Sequence, residues 1–528
     1  MNDAPVLAAI TVSLGNTYKY MGKVVATDVE GNTPITYQIV SAPTLGAATL
    51  NSNTGVFTYI RNGKAAGSDS FTVMPTDSLG ASPVSASSIT ISMNAGYECL
   101  AGDFAGGRAA FIHDVKAVKE VDYLRDIIVK ADGSFMMFGV SPSIWQLDRS
   151  GTSASLVSQK IAVARFLCNG VLDETYGVGG YSGYTDNEPI ESPVAVTAFG
   201  NGWLMAVDNY STSSGNKSIV LFDEQGNVDT SFVASRPQYF NTISRLATYP
   251  GNKVLTLAFS RIERRLRSGA LDATFGSGGN VTVNDNNGTT SVLNSILPQP
   301  DGKILVAGST YVIDWQNRHA KMLVSRLLAS GEKDSSFGTQ GVVVVDATQN
   351  YSSIQALALQ KDGKIVGAGL GTPGWNPNTP KRVTVLRLDA NGTPDASFGT
   401  NGVFVANLPV AYQSLSVANV SVLWDEKILV GFGGWGAGLS ALRLLPNGSL
   451  DTTFNGVGYH IGGQYQVTPG ATPLITFDAL SMFVRPDGRI LLGGSGRTDS
   501  FLRNGVSFQN QDWGAYQLRE NGVADDQP

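Results

Sequence analysis

The feature that most constrains this chain is a phrase that occurs seven times. Its second half reads Gly-x-x-Asp-x-x-aromatic: Gly170-Asp173-Tyr176, Gly226-Asp229-Phe232, Gly269-Asp272-Phe275, Gly331-Asp334-Phe337, Gly392-Asp395-Phe398 and Gly448-Asp451-Phe454, with a seventh copy opening at Gly522-Asp525. Its first half is a turn followed by an apolar run. Asp301-Gly302-Lys303 precedes Ile304-Leu305-Val306, Asp362-Gly363-Lys364 precedes Ile365-Val366, and Asp487-Gly488-Arg489 precedes Ile490-Leu491-Leu492. Weaker copies of the turn stand at Asp132-Gly133, Gly200-Gly202, Gly251-Lys253 and Asp425-Lys427. Self-similarity at a period of roughly 60 residues signals a repeat architecture.

Each repeat divides into four strand-like pieces. In the fifth these are residues 354–359, 364–367, 382–388 and 402–405, separated by turns and one longer loop. The second piece is apolar on both sides, as suits a strand sandwiched between stacked sheets. Four short antiparallel strands per unit, repeated, predict the blades of a propeller. Helical repeats are excluded by the β-branched residues and the frequent Gly turns. The seventh repeat ends after its third strand, at 516–519, and its turn at Asn521-Gly522. The matching continuation stands at the front of the repeat region, at Asp103-Phe104-Ala105-Gly106-Gly107 and the run 108–112. An N-terminal outer strand is therefore expected to close a ring of seven blades and leave no sheet edge exposed.

The first ninety-odd residues lack the repeat. Ile35-Tyr37-Ile39, residues 55–60, 70–74 and 88–93 read as short strands of a β-sandwich. The expected fold is all-β: an Ig/cadherin-like sandwich over 1–95, then a seven-bladed β-propeller over 99–528. The phrases Asn2-Asp3-Ala4-Pro5-Val6, Ala26-Thr27-Asp28, Thr54-Gly55-x-Phe57-Thr58-Tyr59 and Gly67-x-Asp69-Ser70-Phe71-Thr72 resemble the cadherin-like or VCBS-type Ig modules of bacterial adhesins. That resemblance implies calcium held near the domain ends, here by Asp28, Glu30 and Asp77. The alternative is that these are turn residues bonding their own backbone. The repeats resemble the bacterial delta-60 family, with its D-G-K-φ-φ-φ-x-G and G-x-x-D-x-x-F-G phrases; residues 301–308 and 331–338 fit both without a gap. The resemblance implies a propeller and no established chemistry. Asn201 and Asn252 depart from it, standing where Asp is usual.

Arg recurs five positions before the Gly of the second phrase, as Arg165, Arg264, Arg326, Arg387 and Arg443, and the repeated Asp follows eight positions later. An Arg–Asp contact tying strand three to the outer turn is the structural reading, and the repeated aromatics read as inter-blade packing. His113, His319 and His460 lack metal-ligand spacing, and no nucleophile elbow, phosphate loop or Cys-x-x-Cys is present. Cys99 and Cys168 read as two buried free thiols rather than a bridge. Net charge is −6 and charged residues are 15%, without a basic stripe, which argues against nucleic acid. No apolar run approaches the ~20 residues of a membrane span, so no membrane insertion is expected. Met1-Asn2-Asp3-Ala4-Pro5 has no basic n-region, so no signal peptide is expected.

Strand alternation places the repetitive turns on one face and the irregular two–three loops on the other. Trp145, Trp315, Trp375, Trp435 and Trp513 fall in or beside those loops, while Trp203 and Trp424 read as strand residues. Loops on a rigid scaffold carry function. The expected ligand site is therefore Trp315, Trp375 and Trp435 with Asn317, Asn376 and Asn378. The leading functional expectation is a non-enzymatic extracellular binding or adhesion protein that recognises a surface glycan or protein receptor. A phage virion protein, such as a tail-fibre, receptor-binding or decoration subunit contacting other fibre or virion subunits, is the alternative. A glycan-degrading enzyme using loop carboxylates among Glu188, Glu191, Asp314 and Asp346 is the third. No cofactor beyond calcium is expected.

Overall fold

The computed structural model describes residues 2–14, 19–61, 67–93, 110–113, 121–130, 132–147, 154–184, 191–209, 219–232, 243–289, 291–313, 318–347, 351–372, 379–409, 415–434, 437–462, 464–465, 474–485, 488–503 and 506–525. Among them the regular structure is all strand, with no helix. Two compact units divide the chain. The main body of the first is Met1–Ala101, and the second is built from Gly102–Lys130, Ser134–Val484 and Ile490–Pro528.

The first unit has two sheets. One orders the strands Val6–Leu14, Lys19–Thr27, Val56–Arg61 and Gly46–Leu50; the other orders Thr36–Ser41, Gly67–Thr76 and Ser87–Met93. Alternation along Gly67–Thr76 and Ser87–Met93 sends Phe71, Val73, Ile89 and Ile91 inward, where they meet Val24, Phe57 and Tyr59. The Gly-x-Asp phrase of this unit has a structural cause. Asp69 is buried and accepts the N–H groups of Thr44, Leu45 and Ser70 at 2.7–3.0 Å and the Tyr59 hydroxyl at 2.9 Å. Burial alone would raise its pKa. These donors to the charged form outweigh burial and bring it to about 2.

In the second unit each repeat folds as successive antiparallel hairpins. The third consists of Arg245–Tyr249, Lys253–Ala258, Arg261–Arg265 and Asn280–Thr282. The fifth consists of Tyr351–Leu359, Ile365–Thr372, Arg382–Leu388 and Val403–Val405. Every residue of Ile365–Thr372 is buried, as expected for a strand covered on both faces. Apolar clusters lie between consecutive repeats. Phe398, Val383 and Val385 of repeat five share one with Val417, Val430 and Phe432 of repeat six. The last repeat contributes Leu474–Val484, Ile490–Arg503 and Val506–Leu518, and Ala110–His113 pairs antiparallel with the third of these, from Ala110↔Tyr516 to His113↔Trp513.

Strand one carries a β-bulge at the same place in six repeats, with Arg125, Val194, Asn294, Gln355, Ala418 and Leu480 as the extra residues. The bulge accounts for the closing Gly of the D-G-K-φ-φ-φ-x-G phrase. A Cβ at Gly308 or Gly369 would lie 1.9 Å from the carbonyl oxygen of Val292 or Ser353 across the bulge, so no side chain fits. Polar side chains beside the bulges reach the next repeat. Asn294 Nδ2 donates to Ile354 O (3.0 Å), Val417 N donates to Gln355 Oε1 (2.7 Å), and Asn419 Nδ2 donates to Met482 O (3.1 Å). Ser481 Oγ donates to Asp126 Oδ1 (2.6 Å), a bond between the last repeat and the first.

Candidate functional site

The repeated charges form a lock on one face. In repeat four, Arg326 Nε donates to Asp334 Oδ2 (2.8 Å), Nη2 to Ser336 Oγ (3.4 Å) and Nη1 to Ala390 O of repeat five (2.5 Å). The guanidinium lies 4.5 Å from the Phe337 ring centroid. Lys303, from the Asp-Gly-Lys turn, places Nζ 3.1 Å from the same Asp334 Oδ2. Arg264–Asp272–Phe275, Arg387–Asp395–Phe398 and Arg443–Asp451–Phe454 repeat the arrangement, with Lys253, Lys364 and Lys427 as second cations. Arg165–Asp173–Tyr176 repeats it without the lysine. The Asp-Gly-Lys and Gly-x-x-Asp turns thus meet on one face, as strand alternation requires.

The next repeat's turn glycine completes the lock. Gly392 has φ +90°, and a Cβ there would lie 2.9 Å from both Gly338 N and Phe337 Cε2. Gly338 N donates to Asn391 O across the same seam (2.7 Å). Burial alone would raise the Asp334 pKa, but the Ser336 hydroxyl, Lys303, the Ser336 N–H and Arg326 hold it well below the carboxylate range. Asp451, with Thr453, Arg443 and Lys427, lies at about 2. A carboxylate this strongly paired neither takes up nor releases a proton near neutrality, so the Asp residues paired with Arg in these locks are scaffold.

Of the sequence-predicted ligand site, Trp315, Asn317, Trp375, Asn376, Asn378 and Trp435 all lie outside the described residues. The three expected metal ligands are described. Asp28 Oδ1 accepts Asn32 N (2.8 Å), and Asp77 Oδ1 accepts Leu79 N (2.9 Å) and Ala81 N (2.8 Å), which is the turn-bonding alternative. The second oxygen of each, Asp28 Oδ2 and Asp77 Oδ2, is buried without a hydrogen-bond partner, and the Asn2 side chain contributes to holding the Asp77 pKa low. Glu30 is exposed. Among the described residues no three His, Cys, Asp or Glu converge on one point. Asp346 pairs with Lys321 at 3.4 Å; Glu188 and Asp314 lie outside the described residues.

Three sequence readings need correction. Cys168 is buried and disulfide-bonded rather than a free thiol. Its neighbours in sequence gave no sign of this, because two distant cysteines carry no spacing signal. Trp513 is not a loop residue. It lies in the strand Val506–Leu518, fully buried among Leu124, Phe135 and Met137, and Gly139 is the residue that leaves room for its ring. Trp424 lies in the turn after Ser416–Val422, outside any strand.

Residues 2–92 match the family model of a bacterial Ig domain, and 299–337, 360–398 and 426–454 match that of a domain of unknown function (DUF5122) beta-propeller. The chain therefore joins a bacterial Ig domain to a DUF5122 β-propeller. The three propeller matches each run from the strand one–two turn to the aromatic of the lock, so each matched segment contains the Arg, Asp and Phe that form it. No curated protein matches the chain. Among solved structures it is similar to a gluconolactonase of Xanthomonas campestris at 12% identity (60% of this chain, 82% of that one, TM-score 0.29). It is also similar to PorZ, a bacterial surface component of the type-IX secretion system of Porphyromonas gingivalis (9%, 92% and 60%, TM-score 0.32), and to hydrazine synthase of Kuenenia stuttgartiensis (10%, 74% and 47%, TM-score 0.31). At these identities and TM-scores the likenesses carry no argument about function.

Proposed function

We propose that this is a non-enzymatic extracellular binding protein, a seven-bladed propeller head on an Ig-like spacer, which grips a glycan or protein partner through the face opposite the ion locks. One observation carries the reading. The strand two–three hairpins are unequal, and they project on the face away from the locks. Phe135–Leu147 with Ala154–Phe166, Ile304–Ile313 with Arg318–Leu327, and Ile490–Arg503 with Val506–Leu518 are long, whereas Lys253–Ala258 with Arg261–Arg265 is short. Ring packing does not demand these differences in length, and variable loops on a rigid scaffold are where binding residues concentrate. The disulfide at Cys168 suits an oxidising, extracellular setting. Pairing of Ala110–His113 with Val506–Leu518 and the Ser481–Asp126 bond support closure of the ring by an N-terminal outer strand. Trp315, Trp375 and Trp435 supply the aromatic anchors in this proposal, and calcium, held by Asp28 and Asp77, stiffens the Ig-like module.

The full chain on a glycan array, followed by Trp375→Ala on any glycan it binds, tests the reading. Retained binding by that variant sinks the assignment of the face. Turnover of a bound polysaccharide sinks the non-enzymatic role.

A further inference from the structure

Two repeats lack the lock arginine. In repeat seven Gln517 and Arg519 take its place on Asp525, whereas in repeat two no such replacement stands at that position and a cavity marks the break. The position that is Arg264, Arg326, Arg387 or Arg443 elsewhere is Leu221 in repeat two, and Gly202 stands where Lys253, Lys303, Lys364 and Lys427 supply the second cation. The acceptor side of the lock is intact. Asp229 N still donates to Leu221 O (2.8 Å), as Asp272 N does to Arg264 O, and Ser231 N still donates to Asp229 Oδ1 (2.9 Å). Phe232, at the place of the aromatic that carries a guanidinium in the other repeats, is buried in a core cluster with Leu221, and Phe199 is the aromatic that borders the vacant side. Only the cations are missing. In their place is a cavity of about 350 Å³ bordered by Leu221, Asp223, Glu224, Asp229, Phe199 and Arg267.

We infer that this vacant seat binds an arginine side chain presented by a peptide segment of a partner protein. Four repeats of the same chain serve as templates for the interaction. In each, a guanidinium sits 2.7–2.8 Å from the Asp oxygen and 4.5–4.8 Å from the aromatic centroid, and a third bond goes to the backbone carbonyl two residues before the next repeat's turn Gly. The equivalent carbonyl here belongs to Arg267. Charge favours the same guest, since three carboxylates and one guanidinium line the cavity. The Arg267 side chain makes no hydrogen bond or ion pair among the described residues. It lies against Gly200 with its guanidinium 6.0 Å from the Phe199 centroid, and its field lowers the Asp229 pKa after the Ser231 donors have done so. It is an exposed side chain able to swing aside. A planar guanidinium, with its fork of donors, fits this acceptor set better than a lysine ammonium.

The test titrates the full chain with acetyl-Gly-Arg-Gly-amide and with the same peptide carrying citrulline, the neutral isostere, and follows backbone amide shifts by NMR. The inference expects saturable binding of the arginine peptide at millimolar concentration and low salt, with citrulline roughly tenfold weaker or worse. Asp229→Asn should abolish the difference. Leu221→Arg should fill the seat from within, raising Tm and removing peptide binding. Because Asp229 is at the surface, its variant keeps the test valid if Leu221→Arg fails to fold. Equal binding of the two peptides, no saturable binding, or arginine binding retained in folded Leu221→Arg would each overturn the inference. None of these results depends on whether the opposite face binds a glycan.

Discussion

Arg326 and Asp334 sit eight residues apart in sequence and 2.8 Å apart in space, and each is almost fully buried. Their pairing joins the third strand of a repeat to its own outer turn, and the other end of the guanidinium bonds the carbonyl of Ala390 in the next repeat. One side chain thus serves a hairpin and a seam together. Removing one member of a buried pair leaves the other unsatisfied and typically costs about 3 kcal/mol or more. Arg326→Ala should therefore lower stability by that order, measured by urea unfolding. Lys303→Met, which removes the half-exposed second cation, should cost less than about 1 kcal/mol. Equal losses from the two would refute this division of roles.

Gly392→Ala should destabilise by more than about 1 kcal/mol, because the residue has φ +90° and its Cβ would collide with Gly338 N. Gly278→Ala is the control, for its φ is +60° with open space around it. Backbone strain alone predicts similar losses at the two sites. The seam predicts a clearly larger one at Gly392.

Two partly buried groups give the second unit a pH signature, with opposite signs. Burial raises the Asp126 pKa to about 6, and the Ser481 hydroxyl, the Ile127 N–H and Arg245 only partly offset this. Its contribution to stability is greatest below its unfolded value near 4 and is lost as pH rises through about 6. Burial against Tyr516 lowers the His460 pKa to about 4 from an ordinary 6.5, so its contribution is present above 6.5 and is lost as pH falls toward 4. Asp126→Asn should flatten the upper limb and His460→Phe the lower one, as read from Tm against pH. A limb unchanged in its variant would mean that another group carries it.

Much of this was legible in the sequence because it recurs. A contact made in every repeat writes itself into the chain several times, so the turns, the Arg–Asp pairing and the four strands of repeat five could be read directly. The strands Val6–Leu14, Lys19–Thr27 and Gly46–Leu50 were missed, since Val6–Leu14 is an edge strand whose Ile10 and Val12 remain exposed and so show no clean alternation. The cation missing at Leu221 carried no signal until Arg264 and Arg326 showed what that position does. Trp513 misled for the opposite reason. A tryptophan near the end of a long hairpin reads as loop, and only the 13-residue length of Val506–Leu518 places it in the core.

Closure of the ring makes a separate prediction. Deleting residues 1–95 should leave a soluble, cooperatively unfolding unit. Deleting 1–113 removes the partner of Trp513, Gly514, Ala515 and Tyr516, exposing a strand edge and causing aggregation. Sedimentation and thermal unfolding of the two truncations decide the matter, and identical behaviour would contradict closure.

The central claim is that the locks are scaffold and that recognition lies on the opposite face. It is tested most directly by comparing Trp375→Ala and Asp362→Ala on one immobilised glycan bound by the full chain. Surface plasmon resonance should show affinity reduced roughly tenfold or more by Trp375→Ala with Tm unchanged, the loss typical of a truncated aromatic anchor. Asp362→Ala, in the turn of the lock face, should shift Tm and leave affinity alone. The reverse pattern, with affinity lost through Asp362 and kept without Trp375, would contradict the account.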